Sequence, residues 1–199
     1  MIGHRVPLRD GSVVVIRAIQ PEDARLLAEG FARLSPESRQ LRFLTGKPSL
    51  TPAEVHYFTD IDHHNHEALG AVDPGKNLGL GVARFVRDTE DPDVAEVAVT
   101  VTDAWQRKGL ATELLSRLAD RARQEGIHHF TALTADDNEA VDALIHRGVT
   151  DVRVKRREPG TVEYEITLPL RGLGDGLKAL LRAFGGRQLR VPGSDERHL

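Results

Sequence analysis

The chain has 199 residues, with 27 Lys and Arg against 30 Asp and Glu, a net charge of −3, nine His, one Trp and no Cys. That length predicts one domain with room for an extension, and the absence of cysteine excludes disulfides, thiolate metal sites and a cysteine nucleophile. The balanced charge argues against a dedicated nucleic-acid binder; the start MIGHRVPLRDGS and the lack of any apolar run of ~20 residues predict no membrane span and a soluble, cytoplasmic protein.

The first predicted strand is VVVIRA, residues 13 to 18, after the Asp10-Gly11 turn signal. Three helix starts follow before residue 60. Gln20-Pro21-Glu22-Asp23, Ser35-Pro36-Glu37 and Thr51-Pro52-Ala53-Glu54 each set proline and acids in a first turn, and Leu26, Leu27, Phe31 and Leu34 recur at helical spacing after the first. Residues 67–73, 79–87 and 94–102 are short apolar runs separated by Asp73-Pro74-Gly75-Lys76-Asn77 and by Asp88 to Asp93, so an antiparallel meander is predicted. After Gly109 the period becomes helical, with Leu110, Leu114, Leu115, Leu118, Ala119 and Ala122 on one face of a helix ending near Gly126. A strand over 128–134, a helix over 137–147 and strands over 150–156 and 161–168 complete an α/β layout on one mixed sheet. Residues 170–199 carry six Lys or Arg and three Asp or Glu, a net of +3, which leaves −6 for residues 1–169. Two regions are therefore expected: a domain over 1–169, and a basic C-terminal helix and tail over 170–199 that packs on its own domain or on a second subunit of a homodimer, or stays a tail.

One segment is built for chemistry. A β-run from Glu96 through Val99 and Val101 enters the turn Gln106-Arg107-Lys108-Gly109-Leu110-Ala111-Thr112, of pattern Gln-x-x-Gly-x-Ala, and a helix opens at the glycine. The first N–H groups of a helix lack partners within it and carry the positive end of its dipole, so this junction suits an anion. Gly109 and Ala111 leave room for a phosphate to approach the backbone, and Arg107 and Lys108 add charge at the edge. The Walker pattern is absent, and GLGVAR at 79–84 breaks the dinucleotide fingerprint at its third glycine, so it reads as plain strand.

Gln-x-x-Gly-x-Ala after such a strand resembles the acetyl-CoA signature of the GNAT superfamily of N-acetyltransferases, and the element order over residues 10–168 is similar to that fold, a mixed, mostly antiparallel sheet with flanking helices. The run from Asp62-His63-His64-Asn65-His66-Glu67-Ala68 through Arg84 to Asp88, and on to Ala95-Glu96 and Trp105-Gln106, resembles the catalytic domain of bacterial protein lysine acetyltransferases. The resemblance implies acetyl-CoA as cosubstrate, held by the backbone at Val99 and Val101, by the N–H groups of residues 107–112 and by Asn138, with no resident metal. It also implies Glu96 as the base, because a lysine with a pKa near 10.4 must lose a proton before its nitrogen can attack, and the Val101 N–H as the oxyanion donor. An exposed strand carboxylate and an ordinary helix cap are the plainer readings of Glu96 and Asn138. The tyrosine that many relatives use as general acid is missing: the segment reads Leu144-Ile145-His146-Arg147-Gly148-Val149. A thiol with a pKa of roughly 8.5 leaves as thiolate without one.

The expected reaction is acetyl transfer from acetyl-CoA to a primary amine by direct attack, with a protein lysine as acceptor. A small amine such as an amino acid, polyamine or aminoglycoside, and a non-catalytic acyl-CoA-binding module, remain open alternatives. The cluster His63-His64-x-His66 with Asp60 and Asp62 reads as a polar loop, as an acceptor-side wall or as metal ligands, although adjacent loop residues rarely converge on one centre. Trp105 reads as packing behind the turn. His146 reads as a solvated helix residue.

Overall fold

The caps that the sequence announces are the ones that form. Thr51 Oγ1 accepts from the Glu54 amide at 3.3 Å while Glu54 Oε2 accepts from the Thr51 amide at 2.8 Å, a reciprocal box with Pro52 in the first turn. At Pro21 the chain first makes a short 3-10 turn, Pro21–Asp23, and only then an α-helix. Asp23 causes the delay: its carboxylate accepts from the Gln20 amide at 3.0 Å and from both terminal nitrogens of Arg17 at 2.5 and 2.6 Å.

This computed structural model describes residues 3–36, 38–39, 47–135 and 152–168. Within them eight strands, β1 (His4–Pro7), β2 (Val13–Ala18), β3 (His66–Asp73), β4 (Leu78–Arg87), β5 (Val94–Val101), β6 (His129–Ala135), β7 (Val152–Glu158) and β8 (Thr161–Thr167), share one sheet. Its spatial order is β1-β2-β3-β4-β5-β6-β8-β7. β5 and β6 run parallel and every other neighbouring pair is antiparallel. The described α-helices are α1 (Ala24–Ala32), α2 (Pro52–Thr59) and α3 (Leu110–Gln124). None of them is long and apolar enough to cross a membrane.

Alternation along β5 divides the two faces of the sheet. Ala95, Val97, Val99 and Val101 pack with Leu110, Leu114, Leu115 and Leu118 of α3 in the main core. Burying each such leucine contributes about 2 kcal/mol, so α3 is fixed on the sheet by its apolar stripe. On the opposite face α1 approaches β4 at Gly79, where a Cβ would lie 3.0 Å from the Leu26 carbonyl oxygen, so a larger residue would push the two elements apart by a few tenths of an ångström.

The meander over β3 to β5, α3, and the strands β6, β7 and β8 fall within a few residues of their predicted places. Two features differ. β1 was not predicted, because four residues ending in proline carry no readable period; it forms by pairing His4–Pro7 antiparallel with Val13–Ile16. The last hairpin also docks reversed in space, with β8 between β6 and β7, an order that local periodicity does not encode. The predicted helix over 137–147 and the basic segment 170–199 lie outside the described residues.

Candidate active site

The register of β4 and β5 decides which way each backbone group of β5 points. The Thr102 amide donates to Leu80 O at 2.9 Å, so the even residues of β5 hydrogen-bond with β4 and the odd ones turn their N–H and C=O groups toward β6. On that side pairing among the described residues covers Val94↔His129, Ala95↔Phe130 and Glu96↔Thr131. Beyond Glu96 the strands part: β6 continues, paired with β8 as far as Ala135, while Val97, Val99 and Val101 face a gap with their backbone groups. Their side chains are buried on the α3 face, so the gap is lined by main chain.

The gap opens onto the turn before α3. Gln106 folds back across it, its Nε2 donating to Val101 O at 3.1 Å and to Ser38 Oγ at 3.2 Å. Arg107 has φ +63 and Gly109 φ +92, two left-handed residues within three positions. For the arginine this costs of order 1 kcal/mol or more, strain of a kind that clusters at functional sites. Gly109 is the N-cap and offers no side chain to the helix, whose first α-type bond runs from the Glu113 amide to Gly109 O at 3.1 Å. The amides of Leu110, Ala111 and Thr112 precede that bond and have no acceptor within the helix. Trp105 packs against the core edge, and Lys108 Nζ lies 4.6 Å from its ring centroid.

Glu96 stands at the point where the strands part. It is half-buried and shares its face with Ala98 and Thr100, which line an apolar cavity beneath α1 together with Thr102. Across the sheet, Glu96 opposes Val86 and Val86 opposes His66, one row over three strands on one face. His66 stacks near Tyr57 of α2 with ring centroids 5.1 Å apart, and its Nε2 accepts from Arg84 at 3.0 Å. Arg84 is buried, 4.3 Å over the Phe58 ring, and donates to Phe58 O at 3.4 and 3.5 Å. Burial and the neighbouring Arg84 charge press the His66 pKa down to about 4, so the ring is neutral at pH 7. Burial raises the Tyr57 phenol; Arg84 opposes this and the charge of Glu96 adds to it.

The three clustered histidines separate in space. His63 Nδ1 meets the buried Glu67 carboxylate at 2.9 Å, and His64 Nδ1 meets Glu125 at 2.8 Å, which raises the His64 pKa. His66 turns to Arg84. Arg121 of α3 ties the first two together, donating to Glu67 at 3.2 Å, to Glu125 at 2.8 Å and to His63 O at 3.1 Å. Asp62 shapes the loop by accepting from the amides of His64, Asn65 and His66 at 2.8 to 2.9 Å; burial raises its pKa, but these bonds hold it at about 2. Among the described residues no three such side chains are arranged to hold a metal ion. Of the three, only His66 lies in the cross-strand row with Glu96.

Of the residues expected at the site, Glu96, Val99, Val101, Gln106, Arg107, Lys108, Gly109, Leu110, Ala111 and Thr112 all lie along this gap and turn. Asn138 lies outside the described residues. Tyr57 and the hairpin residues Arg9 and Asp10 were not anticipated, because they reach the site from segments remote in sequence. Arg9 N donates to Lys108 O at 3.1 Å, and Asp10 Oδ2 lies 3.0 Å from Lys108 Nζ.

Comparison with known proteins agrees with this geometry. Residues 34–149 match the family described as Acetyltransferase (GNAT) family. The chain is 32% identical over 139 residues to acetyltransferase PA5475 of Pseudomonas aeruginosa, covering 69% of this chain and 74% of that protein. It is 28% identical over 165 residues to acetyltransferase Pat of Mycolicibacterium smegmatis, covering 82% of this chain but 48% of that longer protein. The crystal structure of the GNAT domain of S. lividans PAT superposes with a TM-score of 0.73 at 32% identity, over 83% of this chain and 97% of that one.

Proposed function

The chain is an acetyltransferase of the GNAT family, and from that premise we propose that it moves the acetyl group of acetyl-CoA to the side-chain amine of a protein lysine by direct attack. Enzymes of this family use acetyl-CoA. The observation that carries the reading is the parting of β5 from β6 at Glu96, which opens a main-chain-lined gap between a carboxylate at one end and the amides of residues 107–112 at the other. These donors suit a ligand with an amide-bearing arm and a pyrophosphate. The lysine acceptor is favoured by the likeness to the GNAT domain of S. lividans PAT and to Pat.

Each group then has a task. The backbone of Val99 and Val101 pairs with the arm of the cofactor, the amides at the α3 start and Arg107 hold its phosphates, and the Val101 N–H stabilises charge building on the thioester oxygen. Glu96 takes the proton of the acceptor ammonium, freeing the lone pair that forms the C–N bond as the C–S bond breaks. Bound acetyl-CoA supplies an activated acyl carbon and a thiolate that leaves unaided at its pKa of roughly 8.5. The chain has no cysteine, so it adds no thiol of its own, and with cysteine-free acceptor proteins the thiol released in the assay comes from the cofactor. With acetyl-CoA and lysine-bearing proteins the wild type releases thiol, and Glu96→Gln lowers kcat/KM by about 10²-fold or more with little change in cofactor affinity. Equal rates for the two proteins would remove Glu96 as the base; thiol release with small amines only would remove the lysine acceptor.

A further inference from the structure

We propose that Arg9, carried by the β1–β2 hairpin, is a phosphate-binding residue of the coenzyme A site, placed over the start of α3; this rests on the turn at 106–112 being the cofactor's phosphate site. The hairpin is held rigidly against that turn. Leu8 N donates to Ser12 O at 2.8 Å and Gly11 N to Leu8 O at 3.0 Å, while the Asp10 carboxylate accepts from the Ser12 amide at 3.1 Å. The Arg9 amide then reaches Lys108 O at 3.1 Å. This places the Arg9 side chain directly across Gly109: a Cβ on that glycine would lie 3.3 Å from Arg9 Nε, 3.4 Å from Cγ and 3.5 Å from Cδ.

The charges around the turn are shared out unequally. Lys108 is already committed, 3.0 Å from Asp10, whose pKa falls to about 2 through its hydrogen bonds with Ser12 and Lys108. Arg9 is exposed and has no carboxylate or hydrogen-bond acceptor for its guanidinium among the described residues. It nevertheless lies against a helix N-terminus, the positive end of the dipole, where a cation is disfavoured. A like-signed, unpaired guanidinium held there by its own backbone hydrogen bond is poorly placed for stability and well placed for an anion, which it meets by charge-assisted and often bidentate hydrogen bonds.

The test measures coenzyme A binding by calorimetry for the 199-residue wild type, Arg9→Ala and Arg9→Gln, alongside thermal melting without ligand. The expected result is about tenfold or greater weakening of coenzyme A in both variants, with an apo melting temperature equal to or above wild type. Repeating the titration with 3′-dephospho-coenzyme A identifies the phosphate: a loss of the same size assigns Arg9 to the pyrophosphate, a loss that disappears assigns it to the 3′-phosphate. Unchanged coenzyme A affinity in both variants overturns the proposal, as does lowered apo stability with unchanged affinity, the mark of a purely structural residue. A wild type that binds no coenzyme A would overturn the cofactor reading itself, and this assignment with it.

Discussion

His66 shows how one residue records its surroundings. Its ring accepts a hydrogen bond from Arg84, lies against Tyr57, and is held neutral down to about pH 4. In the unfolded chain the same ring titrates near its ordinary value of 6.5. Between those two values the unfolded state binds a proton that the folded state does not, so stability falls as the pH is lowered through the window and levels off below it. The effect amounts to at most about 3 kcal/mol. Urea unfolding of wild type and His66→Gln at pH 7.5, 5.5 and 4.5 should show wild type losing more stability on acidification than the variant; parallel losses would mean the histidine is charged in the native state. Glu96 stands in the same cross-strand row as this uncharged ring, with Val86 between them, and its charge adds to the burial that raises the Tyr57 phenol.

Among elements, the turn before α3 is the point where most of the site is joined. The Asp103 carboxylate accepts from the Ser35 amide and hydroxyl at 2.9 Å each and from the Ser38 hydroxyl at 2.8 Å, and Ser38 Oγ in turn accepts from Gln106. The segment after α1 is thereby tied to the turn that begins α3. Asp103→Ala should cost about 1–2 kcal/mol in denaturant unfolding, because three donors lose their acceptor near the surface; a change below a few tenths of a kcal/mol would show that the tether holds nothing. Elements of this kind differ in how well they can be read from sequence. The β3–β4 and β4–β5 hairpins announce themselves through Pro, Gly, Asn and Asp breakers between alternating runs, and α3 through its leucine stripe. β1 has no such signal, since pairing with β2 makes it a strand, and the position of β8 between its neighbours is decided by tertiary packing.

At the scale of the whole molecule, the legible part of the site is the part that is contiguous. Glu96 to Thr112 is one unbroken run, and its strand, turn and helix could be recognised together. Arg9 and Tyr57 arrive on a hairpin and a helix, and nothing in their own neighbourhoods marks them for the site, while Arg84 is marked only through the family resemblance. The histidine cluster makes the converse point, because neighbours in sequence take three separate partners once the loop folds. The sheet itself divides in a related way. β1 to β5 form one continuous antiparallel stretch, β6, β8 and β7 another, and between them, among the described residues, stands a ladder of three residue pairs, from Val94↔His129 to Glu96↔Thr131. Side chains also bridge this seam, with the Phe85 and Phe130 rings 6.2 Å apart in the shared core, so it is backbone pairing that is sparse there. Amide exchange is expected to be faster at residues 129–131 than in the middle of β3 or β4, and to slow there on addition of acetyl-CoA; uniform exchange with and without cofactor would mean that the seam is as firm as the hairpins and that the cofactor does not bind beside it. On the proposed reading, the opening that would take the cofactor begins where those three residue pairs end.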